Sequence, residues 1–261
     1  MIYLFVFVVV ITILYSLLVV SYVKGWKSIR SKGSLKAYNQ KITVVVACKN
    51  EAHHLPKLLN CLSCQTVSGF ELVLVDDQST DQTLQFMHQC AIPNTVVIQS
   101  DGVGKKRALL AGVKMATSDF VVTTDADCIM NKNWLLSLLN ARNETGAACL
   151  LGPVVYENSD TFFGKWQQLE FHSLVSSSAA ACGLQKAFMC NGANFAFERK
   201  TWLDNYAQIN EHINSGDDVF MLHAFKRNGQ KISFVKATDA LVYTKPAHNL
   251  RAFFRQRIRW T

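Results

Sequence analysis

The sequence predicts an α/β domain on a mostly parallel central sheet, preceded by one membrane-spanning helix. Three observations carry this reading. Residues 2–23 are apolar and hold no charge. From Ile42 onward, short β-branched runs alternate with segments of helical spacing. Two of those runs end abruptly in acidic residues, Asp76-Asp77 and Asp125-Ala-Asp127. Alternating strands and helices fold through right-handed crossovers into a parallel sheet, and such sheets bind ligands beyond the carboxyl ends of their strands.

The first element is the apolar run. About 22 residues at roughly 1.5 Å rise each cover the roughly 30 Å hydrocarbon core of a bilayer, so residues 1–23 read as a transmembrane anchor. A cleaved signal peptide has a basic start, a shorter apolar stretch and a small-residue cleavage site, and none of these is evident. Lys24, Lys27, Arg30, Lys32, Lys36 and Lys41 follow, so residues 24–40 read as a basic juxtamembrane linker. With its basic flank on the C-terminal side, the positive-inside rule predicts an integral membrane protein whose domain, residues 41–261, is cytoplasmic. There the eight cysteines stay reduced. Cys61-Leu-Ser-Cys64 has metal-site spacing, but no second pair completes it. Leu58, Leu59 and Leu62 place it on a helix face, as structural thiols.

Roughly 220 residues after the linker suffice for one α/β domain with a sizeable core. A content of 49% hydrophobic and 18% charged residues excludes a disordered chain. The net charge is +8, yet the cations gather in two clusters, one after the apolar run and one at Arg251, Arg255, Arg257 and Arg259. Such clusters suit an anionic membrane surface or a phosphorylated ligand, and they argue against nucleic acid as a partner.

Ile42 to Ala47 is a short β-branched run, the mark of a strand buried on both faces. Helical spacing across Leu55, Leu58, Leu59 and Leu62 follows. Phe70 to Val75 predicts a second strand, Thr83 to Cys90 a helix and Thr95 to Ile98 a third strand. Lys105 to Thr117 predicts a helix and Phe120 to Thr124 a fourth strand. The second half is less regular. Thr161 to Val175, with Phe162, Phe163, Trp166, Leu169 and Phe171, predicts an amphipathic helix, and Asn249 to Trp260 a basic-aromatic one. Either suits packing on the sheet or lying on a membrane surface.

Asp125 and Asp127 are the sharpest chemical feature. Two carboxylates one residue apart, just past a buried strand, can converge on a hard cation such as Mg²⁺ or Mn²⁺ and join it to substrate phosphates. Asp76 and Asp77 end the second strand, where a carboxylate can accept from a base imide or a ribose hydroxyl; Asp81 suits a helix cap. Gly102-Val-Gly-Lys105-Lys106-Arg107 opens a helix with three cations, against the sign of its dipole, and so points to a nearby anion. It lacks the spacing of a P-loop. Asp217-Asp218 is a third acidic pair; a carboxylate in an apolar setting can act as a general base, and a solvated turn is the plain alternative.

Taken in order, these pieces resemble the family 2 glycosyltransferases of the inverting GT-A fold. The pieces are Ala47-Cys-Lys-Asn50-Glu51, DDQSTDQT from Asp76, GKKRALLAG from Gly104, TTDAD ending at Asp127, CNGAN at Cys190–Asn194, GDD at Gly216–Asp218, and QRIRW at Gln256–Trp260. The last is similar to the QxxRW motif of a membrane branch that includes cellulose, hyaluronan and chitin synthases and ceramide glucosyltransferases. The resemblance runs from about Ile42 to the last residue.

The resemblance implies a sugar transfer from a nucleotide-diphosphate donor, UDP-linked, to a polysaccharide or lipid acceptor, with membrane lipid nearby. It implies that Asn50, Glu51, Asp76 and Asp77 line the nucleotide, helped by Lys106 or Arg107. Asp125 would touch the donor, and Asp127 would ligate a divalent metal, Mg or Mn, with Asp125 beside it. Asp218 would be the base; relatives often carry Glu-Asp here, so Asp217 is its rival. Gln256, Arg259 and Trp260 would close the donor–acceptor pocket. Relatives continue into further membrane helices, so the chain is expected to be cut short after Thr261. Two other functions compete. A non-catalytic nucleotide-sugar-binding subunit would bind donor without turnover, and a nucleotidyltransferase would release pyrophosphate.

Overall fold

A computed structural model describes residues 1–30, 40–209 and 216–260. Helix α1 spans Ile2–Ser28, and its residues up to Val20 are exposed. It is long and apolar enough to cross a membrane. It continues through Ser28, five residues into the stretch that composition marks as linker, because Lys24, Gly25 and Lys27 do not interrupt a helix that is packed at its foot. The rest of that stretch from residue 31 to 39 lies outside the described residues.

The domain then alternates as predicted. In order come β1 (Thr43–Cys48), α2 (Leu55–Ser63), β2 (Glu71–Asp76), α3 (Thr83–His88), β3 (Thr95–Gln99), α4 (Lys105–Met115) and β4 (Phe120–Asp125). After them the elements shorten: β5 (Ile129–Met130), α5 (Trp134–Thr145), β6 (Cys149–Leu151), β7 (Val154–Tyr156), α6 (Phe162–Gly183), β8 (Phe195–Glu198) and α7 (Arg199–Asp204). The remainder is α8 (Asp217–Arg227), β9 (Ile232–Phe234), β10 (Val242–Thr244) and α9 (Leu250–Trp260).

Seven strands form the main sheet in the order β3-β2-β1-β4-β8-β6-β9. The first four are parallel, whereas β8 runs antiparallel to both β4 and β6. Pairing puts Cys48 level with Asp76 and Ala47 level with Asp125, so the acidic ends of β2 and β4 flank the end of β1. A smaller sheet, β5-β10-β7, sets Thr244 opposite Tyr156.

The period-two alternation of a strand divides the core. Val44 and Val46 face a layer that includes Leu55, Leu58 and Leu62 of α2 and Trp134, Leu135, Leu138 and Leu139 of α5. Val45 faces the other layer, with Leu109 and Val113 of α4, Trp202 of α7 and Met221, Leu222 and Phe225 of α8. Fully burying one such side chain stabilises by about 1.5–3 kcal/mol.

Helix α6 extends eight residues past the predicted amphipathic stretch, and its last turn receives the foot of α1. Ser28 Oγ donates to the Gly183 carbonyl at 2.8 Å. A Cβ on Gly25 would lie 2.1 Å from the Ala180 carbonyl oxygen, and one on Gly183 would lie 2.0 Å from the Gly25 oxygen, so only glycine permits this approach. Lys236 Nζ donates to the Trp26 carbonyl at 3.0 Å and sits over its ring. Helix α9 packs on the other end of α6, with Phe253 5.2 Å from Trp166 and Trp260 5.8 Å from Phe171 between ring centres.

Candidate active site

The loops after β1, β2 and β3 are stitched to one another. Asn50 takes a left-handed φ of 56° and its Oδ1 accepts the Thr80 amide at 2.8 Å. The amides of Asn50, Glu51 and Ala52 donate to Ser79 Oγ, Thr83 Oγ1 and Asp81 Oδ2. Asp81 also accepts the Thr83 amide at 2.9 Å; it lies one residue before the N-cap of α3, which is Gln82, so it holds the first helical amide from outside the cap position. Asp76 is fully buried and accepts the Ser79 amide. Asp77 Oδ1 accepts the Gly104 amide at 2.7 Å, and its Oδ2 lies 3.6 Å from Lys49 Nζ. Gly104 reaches that amide geometry at φ 119°, which side chains rarely adopt.

The acidic tip of β4 lies in this bowl. The ligating atoms of Asp125, Asp127 and Cys128 fall within 4.8 Å of one another. Asp127 Oδ2 accepts Thr244 Oγ1 at 3.1 Å. Glu51 is half-buried, with His54 Nδ1 2.8 Å from its Oε2. Burial pushes its carboxyl pKa up, the His54 hydrogen bond opposes this, and the nearby Asp127 and Asp125 push it up further.

Lys105 joins the tip of β4 to the second half of the chain. Its Nζ lies 2.6 Å from Asp125 Oδ1. Desolvation of the ammonium end pulls the Lys105 pKa down although the side chain is exposed along its length, and Asp125, Asp217 and Asp218 more than offset that and raise it. Asp218, at the start of α8, is held by two backbone amides, Gly192 to Oδ2 at 2.6 Å and Val219 to Oδ1 at 2.8 Å. Burial and the neighbouring Asp217 push its carboxyl up to about 6, against the pull of Lys105. Cys190 stands close by, its thiol raised well above the ordinary value by burial and by Asp218.

Of the three cations that open α4, Lys105 is the one on Asp125. Lys106 is buried with its Nζ 5.1 Å from the centre of the Phe220 ring, and Arg107 folds over Gly102. The phase of the helix turns the first of the three toward the carboxylates.

Gln256 and Trp260 stand at the end of the small sheet. Tyr156 hydroxyl donates to Gln256 Oε1 at 3.2 Å, and Tyr156 is the register partner of Thr244, which binds Asp127. The Arg257 guanidinium is stacked between Phe253 at 4.5 Å and Trp260 at 4.2 Å and is ion-paired with Glu170. Arg259 is exposed.

The donor set fits a hard divalent cation. Cys128 offers a buried thiol, a soft donor that hard Mg²⁺ or Mn²⁺ does not favour. That leaves two carboxylates, the small protein share typical of an ion that also binds substrate phosphates.

The profile of glycosyl transferase family 2 matches residues 43–206, which run from the first residue of β1 to just past α7. The chain belongs to that family. Among curated proteins, this glycosyl transferase family 2 chain is similar to an N-acetylglucosaminyltransferase of Bradyrhizobium diazoefficiens. The two are 24% identical over 247 residues, covering 89% of this chain and 50% of the relative. A poly-beta-1,6-N-acetyl-D-glucosamine synthase of Staphylococcus aureus is 22% identical over 222 residues, 84% of this chain and 53% of the relative. The chain thus spans about half the length of the curated relatives it matches.

Solved structures share the GT-A fold. The mannosyltransferase PcManGT of Pyrobaculum calidifontis, in complex with GDP-Man and Mn²⁺, superposes with a TM-score of 0.67 at 21% identity, over 94% of this chain and 69% of that one. S. aureus TarS residues 1–349 in complex with UDP-GlcNAc gives 0.61 at 21% identity, over 82% of this chain and 61% of that one.

Proposed function

We propose that this family 2 chain is an inverting transferase that moves N-acetylglucosamine from a UDP-linked donor to a hydroxyl of a growing polysaccharide. The observation that carries the reading is Lys105. Its ammonium bonds Asp125 at the tip of β4 and interacts with Asp217 and Asp218 at the start of α8. Asp125 is thus ion-paired with a cation that also feels the charge of the candidate base, and that base is tied to the same strand through Gly192 and Thr123. The two relatives named for N-acetylglucosamine chemistry and the TarS complex with UDP-GlcNAc support the sugar and the nucleotide. The polysaccharide acceptor rests on the poly-N-acetylglucosamine synthase alone.

In this scheme Asn50, Glu51, Asp76 and Asp77 shape the nucleotide pocket, the last two from the end of β2. Asp125 and Asp127 hold a divalent ion, which offsets charge on the leaving diphosphate when bound. Lys105 lies beside Asp125 and adds a positive charge to the same corner. Asp218 takes the proton of the acceptor hydroxyl as its oxygen attacks the anomeric carbon. The C–O bond to the diphosphate breaks as the new one forms, so the configuration inverts. Asp218 suits this better than Asp217, because its two oxygens are fixed by the Gly192 and Val219 amides and its pKa is raised to about 6, near working pH. Gln256, Arg259 and Trp260 close the acceptor side; Trp260 offers a flat face to a sugar ring.

Residues 1–23, with the helix running on to Ser28, serve as a membrane anchor, and residues 41–261 form the transferase domain on the cytoplasmic side. Membranes carrying the full-length protein, given a panel of nucleotide sugars with Mn²⁺ or Mg²⁺, test the function. UDP release and polymer labelling from UDP-N-acetylglucosamine are expected, and Asp127→Ala should abolish both. Release of pyrophosphate, or donor binding without release, would identify a nucleotidyltransferase or a binding subunit instead.

A further inference from the structure

The Cys190–Asn194 segment, which supplies the Gly192 amide to Asp218, is tied to the reaction centre on two sides. The Gly192 amide donates to Asp218 Oδ2 at 2.6 Å, and the carbonyl of the same residue accepts from Thr123 Oγ1 at 2.7 Å. Thr123 is buried on β4, two residues before Asp125, and its Oγ1 also lies 3.3 Å from the Phe195 carbonyl. The turn is braced from behind. Asn191 Oδ1 accepts the Ala193 amide at 3.0 Å, and buried Asn194 accepts from Trp134 Nε1 at 3.0 Å while donating to the Pro153 and Ala240 carbonyls at 2.9 Å each.

We propose that Thr123 is a positioning residue for proton transfer: its hydroxyl holds the Gly192 peptide so that the amide fixes the Asp218 carboxylate toward the acceptor. The proposal rests on the reading of Asp218 as the base. Each Asp218 oxygen accepts one backbone amide, so one lone pair on each is left for a proton. The amide at Oδ2 is a short, charge-assisted donor, the kind whose direction matters most. A strand cannot shift without its ladder, so β4 is a rigid support for both jobs, with Asp125 at its tip and Thr123 behind. Asp217, Lys105 and Cys190 also act on the same carboxylate, whereas the Thr123 hydroxyl acts on it through Gly192. Removing the Thr123 hydroxyl therefore loosens the Gly192 arm, together with the longer contact to the Phe195 carbonyl, and leaves the Val219 arm in place.

The test uses full-length protein in membranes and compares Thr123→Val with Thr123→Ser. Valine keeps the shape and loses the donor; serine keeps the donor. Thr123→Val should lower kcat for transfer ten- to a hundredfold with the donor KM within twofold of the original, and Thr123→Ser should recover most of that loss. If Thr123→Val does not accumulate as folded protein, Thr123→Ala against Thr123→Ser supplies the same comparison. An unchanged kcat in the variant lacking the hydroxyl, or an equal loss in Thr123→Ser, overturns the proposal. Asp218→Asn separates this from the underlying reading. If it transfers like the original protein, the base assignment falls and this inference with it. If it is inactive while Thr123→Val is fully active, only the role of Thr123 falls.

Discussion

Asp218 gains basicity from its surroundings, and that has a pH signature. Burial and Asp217 disfavour its charged form, so its proton leaves only near pH 6 rather than near the usual carboxylate value. Transfer needs the ionised form. kcat/KM should therefore fall about tenfold per unit as pH drops below about 6, and hold level above it until another group titrates. A pH–rate profile flat down to pH 4.5 would contradict this. At the same scale, Asp125 and Asp127 were legible as candidates because they end a run of buried β-branched residues, and the structure brings their carboxylates together. Asp81 was legible as a residue that holds the start of the next helix, one position away from the cap itself. Lys105 was signalled only as one of three adjacent cations. Neighbours on a helix point about 100° apart, and the sequence does not set that phase. Thr244 carried no signal at all. It meets Asp127 from 117 residues away, through a strand too short to show a period.

The elements divide in the same way. β1 to β4 and α2 to α4 were readable to within a residue or two at most ends, since each is long enough for burial to impose a pattern. β5, β7, β9 and β10 are two or three residues each, and their pairing is decided by partners far along the chain. The last turns of α6 escaped because Ala179, Ala180 and Ala181 carry no amphipathic contrast; their small size serves the docking of α1 instead. Arg257 was hidden inside QRIRW behind its neighbours. It ties α9 to α6 through Glu170 and stacks on Trp260. Arg257→Ala would leave Glu170 partly buried and unpaired, a loss of roughly 1–3 kcal/mol. Amide exchange in residues 250–260 should quicken at least tenfold, with β1 and β4 unchanged. Exchange unaltered in α9 would show that the aromatic contacts alone hold it.

For the whole molecule, the foot of α1 is part of the fold and not a loose tether. Gly183→Val would force a side chain to within about 2.0 Å of the Gly25 carbonyl, so the two helices must part. A melting midpoint in detergent lower by several degrees is expected, on the usual scale of ~1–3 kcal/mol for overpacking. An unchanged midpoint would mean that α1 contributes nothing to domain stability. The same long-range folding links α8, more than 90 positions beyond β4, to that strand through Gly192 and Thr123, and the function proposed here depends on that link. The decisive experiment is sugar transfer by the full-length Asp218→Asn protein in membranes with Mn²⁺, measured beside its affinity for UDP-N-acetylglucosamine. Transfer should drop by about 10²–10⁴-fold while donor affinity stays within threefold. Transfer within tenfold of the original protein, or a parallel loss of donor binding, would contradict a base at 218 acting across one cleft from Asp125 and Asp127.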